Sequence, residues 1–211
     1  MLPTSQELFT RIPVILIALT VHEFSHAYAA FRCGDDTAKR MGRLTLNPLA
    51  HLDPLGTICL LFAPIGWAKP VPINPYYFRN PRRDEIIVSA AGPASNFAMA
   101  VIAAVMFKVS WDILHVNGNS LLFLFLFYAV LINIVLGLFN LLPIFPLDGS
   151  HILKNILPWH MAEKMEQFRQ YGMFIIIGIV ILGNVTGLFR YLIIATKLLL
   201  NLVMGRNIFQ I

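Results

Sequence analysis

Four windows of this chain are too long and too apolar for strands or ordinary core helices: Leu8–Phe31, Ile86–Lys108, Leu121–Leu142 and Met173 to about Phe189. Each is close to the roughly 20 residues that carry an α-helix across the hydrocarbon core of a bilayer. In lipid every backbone N–H and C=O must be satisfied within the protein, so windows of this kind fold as helices. Only 13% of the residues are charged and 57% are hydrophobic, too little polar surface to clothe a soluble domain. The expected fold is an all-α polytopic membrane protein with four to five membrane helices. A fifth stretch, Tyr191–Met204, is too short to span unaided and is expected to extend the preceding helix, re-enter or lie along the interface. The first window reads as a span rather than a signal peptide. Met1–Glu7 lacks a basic cluster, and the apolar run ends in Cys33-Gly34-Asp35-Asp36 without a small-residue cleavage pattern.

The net charge of +5 raises the question of an anionic partner, but the basic residues lie where membrane topology explains them. The connection between the first two windows carries Arg32, Lys39, Arg40, Arg43, Lys69, Arg79, Arg82 and Arg83, whereas the next connection has only Lys108. The positive-inside rule therefore puts the first connection in the cytoplasm and argues against nucleic acid as a partner. The lipid bilayer remains, with anionic headgroups within reach of some arginines. Cys33 and Cys59 show no metal-type spacing and read as apolar thiols.

Inside the first window stands Thr20-Val-His22-Glu23-Phe-Ser-His26-Ala. Ionisable groups at that depth are costly enough that they usually have a function. Residues four apart share one helix face, so His22 and His26 can hold one metal ion while Glu23 reaches its water. His22 lies 14 residues after Leu8, about 21 Å along a helix, and so toward the cytoplasmic end. Parity brings the end of the third window back to the same side. There Asn140-Leu-Leu-Pro143-Ile-Phe-Pro146-Leu-Asp148-Gly149 breaks the helix with two prolines and delivers Asp148 near the boundary. Catalytic zinc needs three protein ligands and an open position. His22, His26 and Asp148 supply the three, Glu23 is placed as general base, and the Asn140 amide is a candidate oxyanion donor.

With these residues in place the chain resembles the site-2 proteases, the intramembrane zinc metalloproteases, and most of all their short bacterial members. Those enzymes pair a membrane-embedded His-Glu-x-x-His, here His22–His26, with a distant Asn-x-x-Pro-x-x-Pro-x-Asp-Gly, here Asn140–Gly149. The resemblance implies one zinc per chain on His22, His26 and Asp148, Glu23 as base and Asn140 assisting. It also covers Gly92-Pro-Ala-Ser-Asn96, expected to let helices approach closely near the site and only secondarily to touch substrate. His-Glu-x-x-His alone arises by chance in on the order of one chain in a hundred. Its intramembrane position and the Leu-Asp-Gly element at matching parity make coincidence hard to sustain.

The first connection is too long for a turn and is expected to hold a small re-entrant or β element. Leu55–Ile65 is apolar but about half a span, and Gly66–Pro75 reads as a proline-punctuated strand. The resemblance implies a sheet or loop dipping toward the site, whose free edge could take up an unwound substrate segment by strand addition. His51 and Asp53 are assigned to fixing the loop rather than to metal. His115 falls on the opposite side, and His151 and His160 at the interface, with His151 near enough to Asp148 to support it. Pro158–Tyr171 mixes charges with apolar residues as an interfacial helix does.

No repeat or low-complexity tract divides the chain, so residues 1–211 read as one membrane-embedded domain, its core about 8–149 and its C-terminal helices about 158–204. The expected activity is hydrolysis of peptide bonds in or near transmembrane segments, on the cytoplasmic side of a bacterial cytoplasmic membrane. The competing class is a metal-ion transporter or carrier, which would need a continuous polar route across the membrane. The outer halves of these helices offer few groups for one. An inactive scaffold is the third class, and the intact Glu23 argues against it.

Overall fold

The computed structural model describes residues 5–53, 56, 68–116, 118, 120–205 and 207–209. Its helices are α1 (Ser5–Cys33), the single turn α2 (Thr37–Arg40), α3 (Pro81–Asp112), α4 (Leu121–Asn140), α5 (Asp148–Ile156), α6 (Trp159–Gln167), α7 (Gly172–Thr186) and α8 (Leu188–Met204). Among the described residues, four stretches are long and apolar enough to cross a membrane: Phe9–Cys33, Pro81–Asp112, Leu121–Asn140 and Trp159–Gly183. The chain is thus an integral membrane protein built of helices, as the apolar windows require.

Helices α1, α3 and α4 pack together and form the frame of the molecule. The buried face of α3 is mostly small or polar, with Val88 and Phe107 as large exceptions, whereas α4 buries Leu126, Phe127, Tyr128, Val130 and Leu131. On α3 the buried residues include Ser89, Gly92, Pro93, Asn96, Ala100, Ala103 and Ala104, while Val101, Ile102, Val105 and Met106 point outward. Lipid is as apolar as leucine, so burial of large side chains gives these helices no drive to associate. Close backbone approach and hydrogen bonds between helices do. Where α4 meets α3, a Cβ on Gly137 would stand 2.9 Å from the Phe97 ring. The helix starts are fixed locally: Asn80 caps α3 ahead of Pro81, and the Ser120 hydroxyl accepts from Phe123 N at 3.1 Å to start α4. At the far end of α1, Arg11 donates to the Tyr128 hydroxyl at 2.9 Å, which donates to Glu7 at 2.9 Å, tying α1 to α4.

The turn after α4 is set by Pro143 and Pro146, with a cis Phe145–Pro146 peptide. Gly149 packs so closely on the Leu141 and Leu142 carbonyls that a Cβ there would stand 2.6 Å from Leu142 O and nearer still to Leu141 O. This contact folds the start of α5 back onto the end of α4.

The C-terminal part differs in detail from the sequence expectation. The fourth candidate span starts at Trp159 rather than Met173, because a 3-10 turn at Arg169–Tyr171 joins α6 to α7 without a break long enough to separate them. Gly187, at φ 72°, ends α7 and starts α8. At 17 residues α8 is about 26 Å long and just short of a span. It is a separate helix packed on α3 and α4. Leu200 and Met204 join the main core, and Asn201 accepts from Ile208 N and Phe209 N at 2.9 and 3.1 Å, seating the Phe209 ring among Phe107, Phe123 and Phe127.

The connection from α1 to α3 lies over one end of this frame. Among the described residues it forms no strand, only a lone antiparallel bridge between Leu52 and Ala68. The expected re-entrant stretch Leu55–Ile65, the residue Cys59 and the start of the expected strand at Gly66 and Trp67 fall outside the described residues, apart from Gly56. The run from Lys69 to Asn74 is irregular and has no partner strand among the described residues. It is anchored by side chains instead, with Asn74 N donating to Asp35 Oδ2 at 2.7 Å and Val71 buried against Ala27 and Ala38.

Candidate metal centre

His22 and His26 stand one turn apart on α1, with Nε2 atoms 3.0 Å from each other and ring centroids 4.6 Å apart in an edge-to-face pair. Asp148, the first residue of α5, faces both. Its Oδ2 lies 3.3 Å from His22 Nε2 and its Oδ1 lies 3.3 Å from His26 Nε2. The two histidines are buried and Asp148 nearly so. Three ligands at about 2.0–2.2 Å from a tetrahedral zinc stand roughly 3.3–3.6 Å apart, so the two 3.3 Å spacings match one ion and the 3.0 Å between the Nε2 atoms is a few tenths of an ångström short of it. Among the described residues this is the one cluster of its kind.

Proton placement strengthens the fit. His26 Nδ1 lies 2.7 Å from the Val88 carbonyl, which can only accept, so Nδ1 carries the proton. His22 Nδ1 lies 2.7 Å from Asn96 Oδ1, and Asn96 Nδ2 donates to Asn133 Oδ1 at 3.0 Å, which orients the Asn96 amide with its oxygen toward the histidine. Asn133 in turn donates to Ala129 O at 2.8 Å within its own helix. With both Nδ1 positions committed, both rings turn Nε2, the atom that would bind a metal ion, toward the carboxylate. Asp148 Oδ2 is buried without a hydrogen-bond donor. Two ring nitrogens and a carboxylate converging in a largely buried space are a donor set that suits a divalent cation.

Glu23 is also buried, and its Oε2 accepts from Val71 N at 3.0 Å. Gly92 on α3 forms the floor. A Cβ there would stand 2.6 and 2.7 Å from Cε1 and Nε2 of His22, and closer to Nε2 of His26. The Gly-x-x-x-Asn element therefore acts on the histidines directly: Gly92 makes room for their rings and Asn96 fixes one tautomer.

The remaining residues singled out in the sequence lie elsewhere. Asn140 ends α4 and donates to Leu136 O of its own helix at 3.0 Å, outside the converging group. His51 is buried with Nε2 2.9 Å from Thr45 O, and Asp53 accepts from Gly56 N at 2.8 Å, so both fix the connection. His151 pairs with Glu85 at 3.0 Å, bracing α5 against α3. Cys33 is half-buried and unbridged. Sequence reasoning passed over Asn133, whose signal was a lone amide in an apolar window. It also passed over Val88 O and Val71 N, backbone groups with no signature at all. Replacing Asn96 by Leu should weaken divalent-metal affinity by about 10–100-fold, and Gly92→Ala should abolish stoichiometric binding; metal content of the purified variants checks both.

The profile of peptidase family M50 matches residues 10–115 and 113–183. The chain is 42% identical over 179 residues to the Bacillus subtilis protein YwhC, named as a candidate zinc metalloprotease, covering 81% of this chain and 80% of that one. It is 34% identical over 174 residues to Rip2 of Mycolicibacterium smegmatis, named in the same way, covering 79% of this chain and 64% of that one. The zinc metalloprotease MJ0392 of Methanocaldococcus jannaschii is 27% identical over 144 residues, covering 68% of this chain and 33% of that one. No solved structure matches. The extent of the profile match and the identity to YwhC show that this chain belongs to peptidase family M50, the site-2 protease family.

Proposed function

We propose that this chain is a membrane-embedded zinc endopeptidase in which His22, His26 and Asp148 hold the zinc and Glu23 is the general base. The observation that carries the reading is the convergence of two buried imidazoles and the Asp148 carboxylate at 3.0–3.3 Å, beside a buried carboxylate on the same turn of α1. Family membership and the names of the relatives support the same chemistry.

Bound zinc would supply Lewis acidity, polarising the scissile carbonyl and acidifying a water toward neutral pH. Asn96 and Val88 O hold the two imidazoles in the tautomer that offers Nε2. The Glu23 carboxylate receives the water's proton as the C–O bond forms, and gives it to the amine nitrogen as the C–N bond breaks. Asn140 would serve as oxyanion donor once its amide leaves Leu136 O and turns toward the substrate carbonyl. The substrates are transmembrane or juxtamembrane segments of membrane proteins, delivered unwound because a helical peptide bond is shielded by its own hydrogen bonds.

The charge distribution supports a cytoplasmic active site in a bacterial cytoplasmic membrane. A membrane-impermeant chelator should therefore inactivate inside-out vesicles and spare right-side-out ones; the opposite result would invert the topology.

In proteoliposomes with transmembrane peptides, Glu23→Gln should retain zinc and lose cleavage by at least about a thousandfold, while Asp148→Asn should lose both. Asn140→Ala should keep zinc and lower kcat by about a hundredfold. Cleavage by Glu23→Gln at the wild-type rate would reject the assignment of the base.

A further inference from the structure

We infer that Arg43 is a positioning residue for Glu23, acting through the Lys69–Val71 segment of the first connection. The Arg43 guanidinium donates to Pro70 O at 3.1 Å and, through its other terminal nitrogen, to Lys69 O. That second nitrogen also lies 3.5 Å from His51 Nδ1, which is left as the acceptor because His51 Nε2 donates to Thr45 O. The next residue along, Val71, turns its N–H onto Glu23 Oε2.

Three observations together carry the inference. Arg43 is 6% exposed and its Nε is buried without a partner, an expensive placement for a cation whose hydrogen-bond partners are two carbonyls and an imidazole. Burial lowers the Arg43 pKa, and the charge of Glu23 works in the opposite direction. The segment it grips has no ladder of its own: Lys69 N donates to His51 O at 2.8 Å, and beyond that point side chains supply the anchorage. Finally, the one hydrogen bond that the protein's described residues give the Glu23 carboxylate comes from this segment. A carboxylate that must take a proton in one geometry needs one oxygen held and the other left for water. Arg43 sets where the holding N–H stands. Arg79, Arg82 and Arg83 make no such contact with the segment, so the role is specific to Arg43.

The inference rests on Glu23 being the base, and the test separates the two. Wild type, Arg43→Gln, Arg43→Lys and Glu23→Gln are purified as full chains and compared for zinc content, for kcat and KM on a transmembrane peptide, and for hydrogen exchange at the Val71 amide. Arg43→Gln should bind zinc at wild-type stoichiometry, exchange the Val71 amide at least tenfold faster, and lower kcat by about 10–100-fold with KM changed less than threefold. Arg43→Lys, which keeps the charge but not the planar fork, should recover only part of both. Unchanged exchange at Val71, an unchanged kcat, or a rise in kcat/KM as expected of a blocking lid would each overturn the inference. Full recovery of kcat by lysine with Val71 still exchanging fast would also overturn it, leaving charge alone. If Arg43→Gln fails to fold, the lysine variant carries the same paired readout. Wild-type cleavage by Glu23→Gln would instead reject the catalytic reading beneath it.

Discussion

The frame around this site answers one electrostatic constraint: two imidazoles and a carboxylate meet in a largely buried space. Their outer hydrogen bonds, to Val88 O and to the Asn96–Asn133 pair, prevent the imidazoles from turning away or changing tautomer. Those outer hydrogen bonds hold the three groups in a geometry that would suit a bound cation.

That constraint explains features that look unrelated in the sequence. Gly92 faces the rings because any larger residue would occupy the space of the histidines. Gly149 lies against the Leu141 and Leu142 carbonyls because only a residue without Cβ lets α5 start so close to the end of α4, and Asp148 is the first residue of α5. A carboxylate at the start of a helix also sits at the favourable end of the helix dipole. The small inner residues of α3 then let three helices approach closely enough to bury the cluster.

Much of this was legible in the sequence, and the parts that were not have a common cause. Apolar length identifies the spans because lipid leaves the backbone no alternative to helix. The i, i+4 spacing puts His22 and His26 on one face, and parity alone predicts that Asp148 returns to their depth. What sequence pattern misses are partners that are backbone atoms, such as Val88 O and Val71 N, since every residue carries the same groups. It also misses interactions whose meaning is set by distant packing: Asn96 reads as a helix-packing residue until His22 is seen against it. The placement of α8 on α3 and α4 depends on Leu200 and on the Phe209 ring held by Asn201, contacts that hydrophobic length cannot foresee. The oxyanion assignment to Asn140 stands on the resemblance to the family, because its amide here bonds its own helix.

The most direct test of the central claim is X-ray absorption at the zinc edge of the purified wild-type protein. The account predicts one zinc per chain with two imidazole nitrogens and the remaining ligands oxygen, all at about 2.0–2.2 Å. A sulfur shell near 2.3 Å, a single imidazole, or a protein that holds no zinc would contradict it.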